Sequence, residues 1–157
     1  MIIGHAPAGY LLGKALRAPA GLGFAALLFG AVAPDLDLIW FYFIDNRAIH
    51  HHRYWVHAPG FWVLISLVLV PGLGMIWPKA QRVFLWFVAG ALLHASLDGI
   101  TGGTMWLWPY SGDLFTLITV PATQSHFILS FMLHWTFLIE IALCLMAGVV
   151  FWKGRSS

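Results

Sequence analysis

Residues 83–100 read VFLWFVAGALLHASLDGI, an apolar run whose second half contains His94 and Asp98. The run approaches the length of about 20 residues that an α-helix needs to cross a bilayer. In a helix, residues four positions apart share a face, with side chains about 5–6 Å from each other. Since ionisable groups at membrane depth are costly, they are functional candidates by default. The stretch therefore predicts a membrane helix that carries two metal ligands; the alternative is a His–Asp hydrogen bond that joins two helices.

The composition of the whole chain indicates an integral membrane protein. Of 157 residues, 61% are hydrophobic, and only 8 Lys+Arg and 6 Asp+Glu are charged. Soluble domains contain about 25% charged residues, and a domain of this size still exposes roughly 30% of the surface of its unfolded chain. A mean hydropathy of +0.84 therefore excludes a soluble globule. The chain has no basic run of the kind that nucleic-acid binding needs, and its 8 His outnumber the carboxylates.

Four further apolar segments accompany this run, at residues 1–17, 20–44, 59–77 and 126–152. Together the segments predict an all-α, polytopic membrane helical bundle with about five membrane-embedded helices, forming one domain over residues 1–157. The first segment is short, so we expect it to be re-entrant or tilted. The third is expected to bend or end near Pro71. The last is longer than the bilayer requires, so a tilt or an interfacial first turn is expected.

The basic residues outside the histidine-rich region come in three pairs, which are Lys14/Arg17, Lys79/Arg82 and Lys153/Arg155. With five crossings all three pairs fall on one side, which the positive-inside rule assigns to the cytoplasm. The polar residues then gather on the opposite side, with the N-terminus facing out and the C-terminus facing in. Because His94 lies about 18 Å along the helix from Arg82, the polar groups are expected to converge in a pocket that opens outward.

Two further stretches contain candidate metal ligands. Pro34-Asp35-Leu36-Asp37 places two carboxylates at a break in the second apolar segment, where a cation would relieve their repulsion and desolvation; the alternative is that one Asp caps a helix. In the stretch 50–57, His52 and His57 are candidate ligands, since neutral imidazole is the commonest one. Arg53 between them offers a planar fork suited to phosphate or carboxylate oxygens, or anchors the chain at the bilayer surface.

The remaining histidines and the cysteine are assigned less direct roles. His5 reaches the same outer face in the five-crossing arrangement. His50 and His51 are assigned to a solvated loop, and His126 to the membrane interface. His134 and Glu140 are expected to form a structural hydrogen bond deeper in the last helix, and Cys144 is expected to be an inert packing residue.

The order of these motifs resembles that of the YdjM-type family, described as LexA-regulated, inner-membrane, predicted metal-dependent hydrolases. The shared elements are His5, Pro34-Asp35-Leu36-Asp37, His52-Arg53-x-x-x-His57, His94-x-x-x-Asp98 and Trp108-Pro109. The family is in turn similar, in the style of its ligands, to zinc-dependent phospholipase C and zinc-dependent single-strand nucleases. The resemblance implies metal ligation by His5, by Asp35 or Asp37, and by His57, His94 and Asp98, with His52 as an additional ligand, so that seven residues are candidates.

The sequence departs from the family pattern next to one of these ligands. Val56 and Ala58 stand where the family has a threonine and a serine, so a hydroxyl that would orient a ligand or the substrate is missing. The chain also lacks the additional ligands that a full three-zinc cluster would require. One to three divalent ions are therefore expected, with zinc favoured and a one- or two-metal site preferred.

The leading hypothesis is a metal-dependent hydrolase that cleaves a phosphoester of a lipid or lipid-linked substrate. The metal would activate water, a free carboxylate of Asp35 or Asp37 would act as general base, and Arg53 would stabilise the developing charge. The loop around Trp106, Trp108 and Tyr110 is expected at the headgroup level, as a border of the substrate entrance or a plain interfacial anchor.

Three alternatives stay open from the sequence. The first is hydrolysis of a lipid ester or amide by the same metal centre. The second is a haem protein that uses His94 with His134. The third is a metal or proton transporter, although no matching ligands continue toward the cytoplasmic side.

Overall fold

The computed structural model describes residues 2–155, which fold into helices without a strand among them. The helices are α1 (His5–Ala15), α2 (Leu22–Gly30), α3 (Asp37–Phe43), α4 (Pro59–Ile76), α5 (Pro78–Thr101), α6 (Phe127–Met132) and α7 (Phe137–Lys153). Helices α4 and α5 are long and apolar enough to cross a membrane, and α2 with α3 adds a third span if the bent pair counts as one. The all-helical prediction is confirmed, with two or three candidate spans; α1 has 11 residues and α7 has 17.

The distribution of polarity is inverted relative to that of a soluble protein. The largest fully buried side chains include His57, His94, Asp98 and Glu140. Large apolar side chains such as Phe43 (79% exposed) and Met75 (87% exposed) face outward. Soluble proteins bury charged residues only rarely, whereas lipid accepts an apolar exterior and offers no partner to polar groups. The bundle therefore has the surface of a membrane protein and a polar interior.

Helices α4 and α5 form an antiparallel hairpin joined by Trp77 alone. Proline begins each helix, at a position where its missing N–H costs no helical hydrogen bond. The hairpin places the start of α4 beside the end of α5, so His57 comes close to His94 and Asp98. Of the bend or end expected near Pro71, the end does not occur, because α4 continues through Pro71 to Ile76. One missing hydrogen bond does not unfold a helix whose other backbone groups have no partner in lipid.

Helix α5 packs most closely against α2, through two glycines that face each other. A Cβ atom on Gly30 would lie 2.0 Å from the Phe87 carbonyl oxygen, and one on Gly90 would lie 2.2 Å from the Leu27 carbonyl oxygen. Small residues allow such close backbone approach between membrane helices. The contact brings the carbonyl group of Ala31, directly after α2, to the side chain of His94.

The segment at residues 20–44 breaks where Pro34-Asp35-Leu36-Asp37 occurs, as the sequence predicts. A short 3₁₀ turn covers Ala33–Leu36, and α2 and the helical segment Ala33–Phe43 are bent by 59° relative to each other. No side-chain capping hydrogen bond is formed at the start of α3 or of the preceding turn. The two carboxylates are therefore available to the interior of the bundle.

The last apolar segment is not one helix. Helix α6 ends at Met132, and residues 133–136 separate it from α7. Helix α1 packs against both α7 and α2, since the Tyr10 ring contacts those of Phe151 and Phe24. These contacts place Lys14 and Lys153 at the same end of the bundle, opposite the end where α1 begins with His5.

Candidate metal centre

The structure brings all seven predicted ligands into one network of contacts. Asp98 lies at its centre and is completely buried. Its carboxylate lies 3.0–3.5 Å from ring nitrogens of four histidines, which are His5, His52, His57 and His94. Asp35 and Asp37 contact the same histidines from the bend between α2 and α3. Four stretches that are distant along the chain therefore meet at one point.

His94 is oriented by a backbone carbonyl. Its Nδ1 lies 2.9 Å from the Ala31 carbonyl oxygen, and a carbonyl group can only accept, so Nδ1 carries the proton. In the neutral form of the ring, Nε2 presents a lone pair. It lies 3.0 Å from Oδ2 of Asp98 and 3.6 Å from Oδ1 of Asp35. A histidine whose second nitrogen donates to a carbonyl group is the usual arrangement of a metal ligand.

His52 repeats this arrangement on a different element. Its Nδ1 lies 2.9 Å from the Gly102 carbonyl oxygen and 2.8 Å from that of Gly103. Its Nε2 faces Asp98 at 3.5 Å. Burial lowers the pKa of His52 to about 3, although the Asp98 carboxylate opposes this shift. His52 is therefore neutral at physiological pH, which is the form that binds a metal.

His57 has a different electrostatic environment because it lies between two carboxylates. Its Nε2 is 2.9 Å from Asp37 and its Nδ1 is 3.3 Å from Asp98. Burial lowers its pKa, but the hydrogen bonds to these two carboxylates outweigh burial and raise the pKa to about 9. Without a metal, His57 is a buried cation that holds two anions together.

His5 completes the buried part of the network. Its ring stacks on that of His94 with a centroid distance of 3.8 Å. Its Nδ1 lies 3.3 Å from Asp35 and its Nε2 lies 3.2 Å from Asp98. Both nitrogens are buried without a hydrogen bond of good geometry, as is Nε2 of His94. Buried polar atoms of this kind need a partner, and a cation between the rings and the carboxylates would supply it.

The donor atoms fit a divalent metal ion of the zinc type. Three groups of donor atoms each lie within 4.8 Å of one another, and these groups are His5/His94/Asp98, His52/His57/Asp98 and Asp35/His51/His57. Three ligands of the imidazole and carboxylate type are characteristic of catalytic rather than structural zinc sites. Asp98 belongs to two of the groups, so it would help to hold an ion in either one.

The sequence assignment of His51 to a solvated loop is wrong. His51 begins a short 3₁₀ turn, is only 25% exposed, and lies with its Nδ1 3.8 Å from Asp37. The turn rotates His51 and His52 toward the same cluster, whereas three consecutive histidines give no periodic signal in the sequence. His50 is exposed, and its side chain accepts a hydrogen bond from the backbone N–H of His52.

The predicted substrate-binding residues lie around the cluster without contacting it. Arg53 is exposed, and its Nη1 donates to the Gly112 carbonyl group at 3.0 Å. Tyr110 is 96% exposed. Trp106 lines a cavity of about 330 Å³ together with Gly99, Leu107 and Phe115. Trp108 is partly buried, and its carbonyl oxygen lies against Gly60. These side chains form an aromatic and basic rim.

The remaining polar residues of the last segment lie outside the cluster. His134 bonds to the Thr136 hydroxyl at 2.8 Å rather than to Glu140. The expected pair of His134 and Glu140 is therefore wrong. Glu140 binds instead to the backbone of residues 2–4.

Comparison with known proteins identifies one family. The model of the family described as YdjM inner membrane protein matches residues 1–156. No curated protein and no solved structure is significantly similar to the chain.

Proposed function

This chain belongs to the YdjM inner membrane protein family, and on that premise we propose that it is a metal-dependent hydrolase that cleaves a phosphoester of a membrane lipid. The family places the protein in the inner membrane. The His/Asp cluster supplies the chemistry, and the membrane supplies the substrate.

The observation that carries the proposal is the orientation of His52 and His94. Both rings donate from Nδ1 to backbone carbonyl groups, so both Nε2 atoms face the Asp98 carboxylate, at 3.5 Å and 3.0 Å. A lone pair and a carboxylate repel each other at these distances unless a proton or a metal cation lies between them. A divalent metal ion satisfies every one of these groups at once.

A metal ion of the zinc type supplies Lewis acidity and lowers the pKa of water from 15.7 to about 7. The chain's own carboxylates then divide the remaining work. Asp37 is only 9% exposed and orients His57, whereas Asp35 is 29% exposed and reaches the open side of the cluster. The more exposed Asp35 would therefore be the general base.

The surroundings of the open side favour a lipid substrate. Asp37 begins helix α3, whose side chains Ile39, Trp40 and Phe43 are 63%, 57% and 79% exposed. These apolar groups suit the acyl chains of a lipid, while Arg53 at the rim suits the phosphate of a headgroup. Tryptophan and tyrosine near the cluster are typical of the membrane interface.

The proposed topology has five membrane-embedded segments, with the cluster facing the periplasm. Helix α1 would be a short or re-entrant segment, and α6 would lie at the interface before α7. The three basic pairs would then face the cytoplasm, in agreement with the positive-inside rule. Ester or amide cleavage by the same centre differs from this proposal only in the bond that is cut.

The proposal is tested with purified protein in detergent. Elemental analysis should find one to three equivalents of a transition metal, mainly zinc. After incubation with phospholipids and isoprenoid phosphates, mass analysis should detect the products of phosphoester cleavage. A chelator should abolish their formation. His94→Ala and Asp98→Ala should lose metal and activity, while Ser96→Ala, an exposed position on the same helix, should keep both. Full metal content in both cluster variants, or chelator-resistant activity, contradicts the proposal.

A further inference from the structure

Glu140 is a completely buried carboxylate in the apolar helix α7, outside the His/Asp cluster. Its Oε2 accepts hydrogen bonds from the backbone N–H groups of Ile2, Ile3 and Gly4, at 2.5–3.1 Å, and its Oε1 accepts a further one from Ile2. A buried charge is costly unless it is fully hydrogen-bonded. The sequence of the helix gives no other reason for an acidic residue at this depth, so the contact with residues 2–4 accounts for it.

This contact fixes the point at which α1 begins. Gly4 is the residue that precedes the first turn of α1, and no side chain of the helix itself caps that turn. The first N–H groups of a helix have no partner within it and favour a negative charge. The Glu140 carboxylate accepts from the N–H of Gly4 at this boundary and from the two residues before it, and so joins α7 to the start of α1.

The first residue of α1 is His5, which contacts Asp35, Asp98 and His94 in the cluster. His5 is 3% exposed, and no hydrogen bond orients either of its ring nitrogens. His52 and His94 are oriented through their rings by backbone carbonyl groups, whereas His5 has no such constraint. The stack on His94 and the contacts with Asp35 and Asp98 hold the ring within the cluster, while the backbone of residues 2–5, which Glu140 holds, sets where the ring enters it.

We propose that Glu140 is a positioning residue of the metal centre, which places His5 in the cluster by binding the backbone of residues 2–4. The inference rests on the proposed metal centre. Removal of a hydrogen-bond partner that orients a metal ligand typically costs 10–100-fold in metal affinity. A similar loss is expected for Glu140→Gln, which keeps the size of the side chain but removes its charge.

The test compares Glu140→Gln with His5→Ala and with the double variant. Each protein is titrated with Co²⁺, and the affinity and the visible absorption spectrum are recorded. If Glu140 acts through His5, Glu140→Gln shifts the spectrum toward that of His5→Ala, and the double variant binds no more weakly than His5→Ala alone. An unchanged spectrum and affinity, or losses that add in the double variant, overturn the inference.

Ser130→Ala serves as the matched control, because it removes a buried hydrogen bond to the Gln124 backbone without touching residues 2–5. Labelling with diethyl pyrocarbonate, read by peptide mass, gives a second measurement that needs no metal. His5 should be modified several-fold faster in Glu140→Gln than in the wild type or in Ser130→Ala. A wild type that binds no metal refutes the proposed function, whereas equal labelling of His5 in all three proteins refutes the role of Glu140.

Discussion

Gly102 gives the sharpest test of whether His52 is a metal ligand. It follows α5 with φ −95°, a conformation that alanine adopts without strain. A Cβ atom at this position would lie 2.2 Å from Cε1 of His52 and 2.9 Å from its Nδ1. The substitution Gly102→Ala therefore acts on the imidazole ring and not on the backbone conformation.

The size of the effect follows from these distances. Ordinary contact begins at 3.4 Å, so the ring must move by about 1.2 Å. Bonds from zinc to imidazole nitrogen are about 2.0–2.1 Å long, and a displacement of this size breaks one. The same movement removes the ring from the carbonyl groups of Gly102 and Gly103. We expect metal affinity to fall by about 10–100-fold or more, equivalent to about 1.4–2.7 kcal/mol.

The assay is a competition titration in which a fluorescent zinc chelator is displaced by the purified variants in detergent. Gly72→Ala is the matched control, since a Cβ atom there has no heavy atom within 4 Å. It adds the same methyl group to the same protein and should leave metal affinity unchanged. Wild-type zinc affinity in Gly102→Ala, with the protein folded, would refute the assignment of His52 as a ligand.

Three further predictions follow from the same structure. Zinc binding at pH 7 should release about one proton from His57, whose pKa of about 9 makes it cationic in the metal-free protein. Zinc affinity should therefore rise with pH up to about 9. Calorimetry in buffers of different ionisation enthalpy counts the released protons, and an equal count in His57→Gln would contradict the prediction. Gly90→Ala should destabilise the protein by about 1–3 kcal/mol and lower its metal content, because the added Cβ would lie 2.2 Å from the Leu27 carbonyl oxygen. Thermal unfolding measures this loss against the control Gly148→Ala, where the added methyl group has no heavy atom within 4 Å. Arg53→Gln should raise the KM for a phospholipid roughly tenfold with zinc content unchanged, and a fall in zinc content would show that Arg53 acts on the cluster instead of on the substrate.

The sequence alone was sufficient for the class of protein and for most of the candidate cluster. The chain has too few charged residues for a soluble surface, and its apolar runs are long enough to span a membrane. Both features depend only on composition and on the local order of residues, so the sequence shows them without coordinates. The same is true of His94 and Asp98, because helical periodicity places them on one face. Asp35 and Asp37 are visible for a related reason, since carboxylates at a break in an apolar run need a partner.

Only the tertiary structure decided how these groups are oriented. The ring of His94 is oriented by the carbonyl group of Ala31 directly after α2, and that of His52 by carbonyl groups after α5, and no local sequence pattern encodes these contacts. His51 and Glu140 were assigned wrongly because their partners lie on other segments. The continuation of α4 through Pro71 also depends on the surroundings of that helix. The local sequence determines which histidine and aspartate side chains are available, whereas the packing of α2 against α5 through Gly30 and Gly90 determines which atoms of those side chains face one another.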